Sequence, residues 1–250
     1  MNELKGKVAL VTGGSRNIGR AIALALAEGG ADVAVNARTS GAEAEGVARE
    51  ISALGGKAVV MLGDVTNERD AARMMKETAE AFGGIDILVN NAAMRHEAAL
   101  TDLDLAQWRA TMASILDSAY ICARACLPYL RKSQSAAIVN IGGMTGSTGA
   151  KLRAHVAAAK AGVEGLSRAL ALELAADGIT VNCVVPGLVE TKRGGWSAGP
   201  AQHHEGRSFL LGRRTPPGDV AAMVRHLCGP HARFITGQSI HVNGGAYLGG

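Results

Sequence analysis

The sequence predicts an α/β protein, a single-domain, doubly wound parallel sheet with helices on both faces. Three observations carry the prediction. Short β-branched runs alternate with long alanine-rich stretches of helical pattern, which is the order of repeated βαβ units. The strand-like runs are almost unbroken in apolar character, as befits strands covered on both faces. The chain has 250 residues, 48% hydrophobic and 19% charged, enough to bury one substantial core.

The elements follow in order. Val8-Ala9-Leu10-Val11 is a first strand, and the alanine-rich segment near 18–29 a first helix. Val33-Ala34-Val35 and Ala58-Val59-Val60-Met61 are the next strands, each carrying two β-branched valines, with helices near 42–54 and 67–82 after them. Ile85-Asp86-Ile87-Leu88-Val89 leads to one long helix near 105–131, and Ala137-Ile138-Val139-Asn140 to another near 152–176. Ile179 to Val184 is the sixth strand. Residues 188–215 then break the regularity, with Gly194-Gly195-Trp196-Ser197-Ala198-Gly199-Pro200 opening a turn-rich insertion. Such a segment reads as a lid or binding loop, disorder being the alternative. A helix near 217–228 and a last strand, Ser239-Ile240-His241-Val242, complete the pattern. With no repeat, linker or low-complexity block, residues 1–250 read as one domain.

Composition excludes several functions. No apolar run reaches the roughly 18–20 residues that span a bilayer, so no membrane role is expected. Met1 to Lys7 runs directly into a strand-like segment without a secretory pattern, which makes a cytoplasmic location the default expectation. The net charge of +4 is spread along the chain, without the basic stripe of a nucleic-acid binder. Cys122 and Cys126 lie one helical turn apart while Cys183 and Cys228 are isolated, so neither a zinc site nor disulfides are expected. Buried structural thiols and no metal are the reading.

The chemistry begins at Thr12-Gly13-Gly14-Ser15-Arg16-Asn17-Ile18-Gly19, between a strand and a helix. In that context a glycine-rich turn offers unpaired N–H groups and a positive dipole end to a pyrophosphate. Gly13 and Gly19 remove the Cβ where backbone must come close, and Asn17 tolerates a positive φ better than most residues. This turn resembles the Thr-Gly-x-x-x-Gly-x-Gly motif of the short-chain dehydrogenase/reductase family, with Asn17 at the middle glycine. Asn90-Asn91-Ala92-Ala93 resembles the family's Asn-Asn-Ala-Gly, and Thr236-Gly237-Gln238 its Thr-Gly-Gln. The matches run along nearly the whole chain, most like the 3-oxoacyl-carrier-protein reductases.

The resemblance implies a Rossmann-type fold and a dinucleotide cofactor. It places Gly13, Ser15, Arg16, Asn17, Ile18 and Gly19 at the phosphates, and Asp64 with Val65 at the adenine ring. Asn91 and Ala92 then lie beside the cofactor, while Pro186, Gly187, Val189 and Thr191 pack on nicotinamide. Ala37 stands where NAD-preferring members carry an aspartate, and Arg38 follows it. Arg38 and Arg16 therefore favour the 2′-phosphate of NADP(H) over NAD(H), unless both guanidiniums point to solvent. Related proteins commonly assemble through the helices near 105–131 and 152–176, which implies a homo-oligomer, a tetramer or dimer.

At the family's Tyr-x-x-x-Lys signature the chain reads His155-Val156-Ala157-Ala158-Ala159-Lys160. Counting from Lys160, the tyrosine position is Val156 and the serine position is Gly143; counting from Trp108, the asparagine position is Ile115. Lys160 alone keeps the family residue, and it retains a second family role, hydrogen bonding to the nicotinamide ribose. The tyrosine protonates the alkoxide as hydride arrives, and losing such an acid typically costs about 10²–10⁴ in rate. The peroxisomal 2,4-dienoyl-CoA reductases also lack this tyrosine, and His155 matches a histidine they carry; Ile115, however, stands where they have an acidic residue. Two readings follow. One is an NADP(H)-dependent oxidoreductase acting on a small molecule with an activated C=C or C=N bond, or on a carbonyl with a substitute acid. Lys160 and His155 are its candidate catalytic residues, and Arg153, His96, Thr145 and the pair His203-His204 are further acids. The other is a non-catalytic cofactor-binding protein that regulates an active relative.

Overall fold

The computed structural model describes residues 2–191 and 209–249. Seven strands form one parallel sheet: β1 (Val8–Val11), β2 (Asp32–Ala37), β3 (Ala58–Leu62), β4 (Ile87–Asn90), β5 (Ala137–Ile141), β6 (Thr180–Pro186) and β7 (Ser239–Val242). Their order is β3-β2-β1-β4-β5-β6-β7, every neighbouring pair parallel. The order reverses between β1 and β4, and the crevice beyond the strands' carboxyl ends at such a point is where open α/β sheets bind ligands.

Period-two alternation explains the two layers. In β1, Ala9 and Val11 join one core, with Ile22 and Leu26 of α1 (Asn17–Glu28), Val47 and Ile51 of α2 (Gly41–Ala53) and Val224 of α8 (Pro217–Cys228). Leu10 points the other way, into a core with Met74 and Met75 of α3 (Glu68–Phe82) and Cys122, Cys126 and Leu130 of α5 (Ser118–Leu130). Both faces of the sheet are thereby dry, and the unbroken apolar strand runs follow from that. All four cysteines are free and buried, as the spacing predicts. Burial pushes the thiols of Cys122, Cys183 and Cys228 up to about 12.

Most elements lie within a residue or two of their predicted bounds. The long helix near 105–131 differs: it divides into α4 (Leu105–Met112), a π-helical turn at Ala113–Asp117 and α5. Between β5 and the long α7 (Ala154–Glu173), a short helix α6 (Thr145–Thr148) was not foreseen. The register sets Asn90 opposite Asn140. Asn90 donates to Asn140 at 2.8 Å and Asn140 to Ser167 of α7 at 2.9 Å, a buried polar ladder across the sheet. Within the insertion, Lys192 to Ser208, including Trp196 and His203-His204, lie outside the described residues. Among the described residues no helix is long and apolar enough to cross a membrane.

Candidate active site

The turn after β1 is held by side chains from two other segments, Asn36 and Asn91. Gly13 and Asn17 both take left-handed backbone, with φ of 59° and 51°. The Gly13 and Gly14 amides donate to the Asn36 side chain (3.1 Å) and carbonyl (2.8 Å). Asn36 donates in turn to the Met61 and Gly63 carbonyls at 3.0 and 3.1 Å, so one buried amide ties the ends of β1, β2 and β3 together. Asn91 donates to the carbonyls of Thr12 (2.9 Å) and Gly13 (3.0 Å), while Thr12 Oγ1 accepts from the Asn91 and Ala92 amides. A Cβ on Gly19 would fall 2.1 Å from the Gly13 carbonyl oxygen, so only glycine lets α1 start here. The first turn of α1 has no acidic residue and no side-chain cap, and its N–H groups face a cavity.

That cavity has a volume of about 630 Å³. Every residue expected to contact the cofactor lines it, from Gly13 and Ser15 through Val65 and Ala92 to Val189 and Thr191. At its far end Arg38 reaches Asp64 at 3.7 Å and Arg16 reaches Glu43 at 3.9 Å, all four side chains partly exposed. Long, solvated pairs of this kind contribute at most about 1 kcal/mol. Both arginines are among the residues that line the cavity, with side chains more than half exposed, and little holds them to their present partners. Asp64 also accepts from the Thr66 amide and hydroxyl at 2.9 and 2.8 Å.

At the opposite end the Lys160 ammonium donates to the Ile141 carbonyl at 2.6 Å. Burial, and then the Arg95 charge, lower its pKa to about 7; Cys183 opposes them weakly. Gly143 and Val156 line the cavity beside it, whereas Ile115 does not. Ile115 and Val156 pack with Val163, Cys183 and Val185 in a small apolar core under the floor. A Cβ at Gly143 would meet Lys160 side-chain carbons at 3.6 Å, an ordinary contact. Arg153, His96 and Thr145 also line this end.

His155 is fully buried and is not part of the cavity wall. Its ring packs against His96, centroids 4.5 Å apart and planes at 45°, and neither ring nitrogen has a side-chain or backbone hydrogen bond of good geometry. Burial, then His96 and Arg153, lower its pKa. Of the two histidines, His96 is the one that reaches the cavity. Sequence reasoning missed Asn36, Ser114 and Arg95. Ser114 sits in the π-helical turn, where its hydroxyl accepts from the Met94 amide and donates to the Thr111 carbonyl, each at 3.2 Å. Its only sequence signal was its place beside Ile115. No cluster among the described residues has metal-binding composition.

A doubly wound parallel sheet with a glycine-rich turn at its switch point defines a dinucleotide-binding class of protein, and the chain belongs to the short-chain dehydrogenase/reductase family. A family model described as enoyl-(acyl carrier protein) reductase matches residues 13–247. Among curated relatives, the 3-oxoacyl-(acyl-carrier-protein) reductase FabG of Vibrio cholerae is 39% identical over 250 residues, covering 98% of this chain and 99% of its own. The Staphylococcus aureus protein of the same name is 38% identical over 242 residues, covering 97% and 98%. Among solved structures, a short-chain dehydrogenase of Burkholderia cenocepacia in complex with NADP superposes with a TM-score of 0.91 at 35% identity, covering 98% of this chain and 99% of that one. A dehydrogenase/reductase of Sinorhizobium meliloti gives the same TM-score and identity, with 98% and 96% covered.

Proposed function

We propose that this chain binds NADP(H) and transfers hydride to an activated C=C or C=N bond of a small molecule, or to a carbonyl aided by an acid other than tyrosine. One observation carries the reading: the residues expected at the phosphates, the adenine, the ribose and the nicotinamide all line one continuous cavity. The residues fit the cofactor. The Gly19 position leaves no room for a Cβ, the first turn of α1 presents uncapped N–H groups, and Arg16 and Arg38 stand at the adenine end. The NADP complex of the Burkholderia relative supports the same choice.

When bound, the reduced nicotinamide supplies the hydride. The chain's residues do the rest. Arg16 and Arg38 exchange weak carboxylate partners for the 2′-phosphate, and the α1 amides hold the pyrophosphate. Lys160, anchored on the Ile141 carbonyl, hydrogen-bonds the ribose hydroxyls and keeps its remaining protons at the reacting end. His155 packs on His96, and of the pair only His96 lines the cavity. Val156 and Gly143 carry no hydroxyl, so ketone reduction by the tyrosine route of 3-oxoacyl reductases lacks its acid and its oxyanion donor. An enone or iminium has less need of that acid. Residues 1–250 act as one domain and the protein as a homo-oligomer. Three departures together, at Ile115, Gly143 and Val156, favour the second reading, a cofactor-binding regulator without turnover. Titration with NADPH and NADH, followed by NADPH consumption on enones, imines and ketones, separates the two: binding with turnover supports an enzyme, and binding without turnover supports the regulator.

A further inference from the structure

The reacting end of the cavity holds an amine whose chemistry goes beyond binding a ribose. Lys160 belongs to the cavity wall although it is only 4% exposed, so the fold encloses it and still leaves it within reach of a ligand. Among the described residues its ammonium is held by a carbonyl, that of Ile141, rather than by a carboxylate. Val156 shares the wall with it and packs on the apolar floor of Ile115, Val163, Cys183 and Val185. The atoms nearest to a Cβ built on Gly143 are Lys160 side-chain carbons, at 3.6–3.8 Å, so glycine there leaves room for a small group alongside that chain. The amine also stands next to the segment expected against nicotinamide. Ile141 ends β5, and just beyond it the Gly142 and Met144 amides donate to the Val184 and Pro186 carbonyls of β6 at 2.8 and 3.0 Å. Burial is the main cause that brings the amine down to about 7, with Arg95 and Cys183 the other groups acting on it. A desolvated lysine of this kind is a nucleophile toward carbonyl carbon.

Resting on the hydride-transfer reading above, we infer that Lys160 condenses with an α,β-unsaturated aldehyde and that hydride is delivered to the conjugated iminium so formed. The neutral amine adds to the carbonyl carbon, one proton is taken up and water leaves, so that C=N replaces C=O. The β-carbon then accepts hydride from the reduced nicotinamide, and the π electrons move toward nitrogen to leave a neutral enamine. Protonation at the α-carbon and addition of water release the saturated aldehyde and return the lysine. Two electrons pass from the dinucleotide to the former C=C bond, and no oxyanion forms during the hydride step. The iminium nitrogen supplies the positive charge that a tyrosine proton would otherwise bring, which accounts for a site without hydroxyls at Gly143 and Val156.

The test is reductive trapping. Wild-type protein without dinucleotide is incubated with trans-2-hexenal and cyanoborohydride, and peptide mass spectrometry locates the alkylated lysines. At pH 7, Lys160 is expected to be labelled at least about ten-fold faster than exposed lysines such as Lys5, Lys76 and Lys132, because a solvated amine is almost wholly protonated there. That ratio is expected to shrink as the pH is raised to 10, and Gly143→Leu, which fills the room beside the amine, to lower it at pH 7. With NADPH in place of cyanoborohydride, hexanal is the expected product, formed at least about ten-fold more slowly by Lys160→Arg, which keeps a cation but cannot form the iminium. No adduct at Lys160, labelling no faster than that of the exposed lysines, or wild-type turnover by Lys160→Arg would overturn the inference. The trapping arm uses the wild-type protein alone, so it decides even if neither variant folds. Its failure leaves the hydride-transfer reading standing, whereas a trapped Lys160 with no NADPH oxidation contradicts that reading and the inference with it.

Discussion

Replacing Lys160 by Met isolates the cost of holding an amine in the dry end of the cavity. In the folded protein burial lowers the Lys160 pKa from 10.5 to about 7, and in the unfolded chain the amine returns to its ordinary value. Between those two values the unfolded chain binds one proton more than the folded one, so this group makes stability rise with pH through that window. Below about pH 7 both states are protonated and the whole penalty is in force, roughly 5 kcal/mol at about 1.4 kcal/mol per unit. Near pH 9 roughly 2 kcal/mol of it remains. Methionine removes the charge at similar length. It also leaves the Ile141 carbonyl without its 2.6 Å donor, which costs about 1–3 kcal/mol at either pH. The gain of Lys160→Met over wild type is therefore expected to be about 2–3 kcal/mol larger near pH 6 than near pH 9. Urea unfolding of both proteins at the two pH values measures it, provided the slopes agree. A difference that does not change with pH would refute the reasoning, because it would mean that Lys160 titrates as a solvated amine.

Three further outcomes are expected. The double substitution Gly143→Ser with Val156→Tyr should add ketone reductase activity, because a side chain at 143 meets Lys160 at ordinary distance; ketone turnover no higher than wild type would mean that the pocket has been rebuilt around the missing hydroxyls. Arg38→Ala should weaken NADPH binding by about ten-fold or more while leaving NADH nearly unchanged, as fluorescence titration with both dinucleotides would reveal. Gly19→Ala drives a methyl into the Gly13 carbonyl, so it should abolish dinucleotide binding and lower the thermal midpoint; normal binding would contradict the described turn.

The fold was legible because its strands are dry on both faces, which leaves runs such as Val8 to Val11 and Ala137 to Val139 apolar and rich in β-branched residues. The glycine-rich part of the cavity lining was legible for a different reason: Gly19 and Asn17 are constrained by backbone geometry, and geometry leaves a mark on residue type. The π-helical turn at Ala113–Asp117 left none, since one extra residue per turn does not interrupt the apolar pattern of Ile115 and Leu116. The direction of His155 was also hidden. Helical geometry turns it about 100° from Val156, but only the fold brings His96 round from the loop after β4 to meet it. Asn36 looks like an ordinary residue at a strand end, and its role in tying three strands depends on Met61 and Gly63, far along the chain.

The central claim is that this cavity moves hydride without a tyrosine at position 156. The direct measurement is transfer of deuterium from NADPH labelled at nicotinamide C4 to enone and imine acceptors, followed by mass spectrometry of the product. The account predicts one deuterium in the reduced product with the wild-type chain, and much less with Lys160→Met. NADPH that binds tightly and returns its label intact across all acceptors would contradict it.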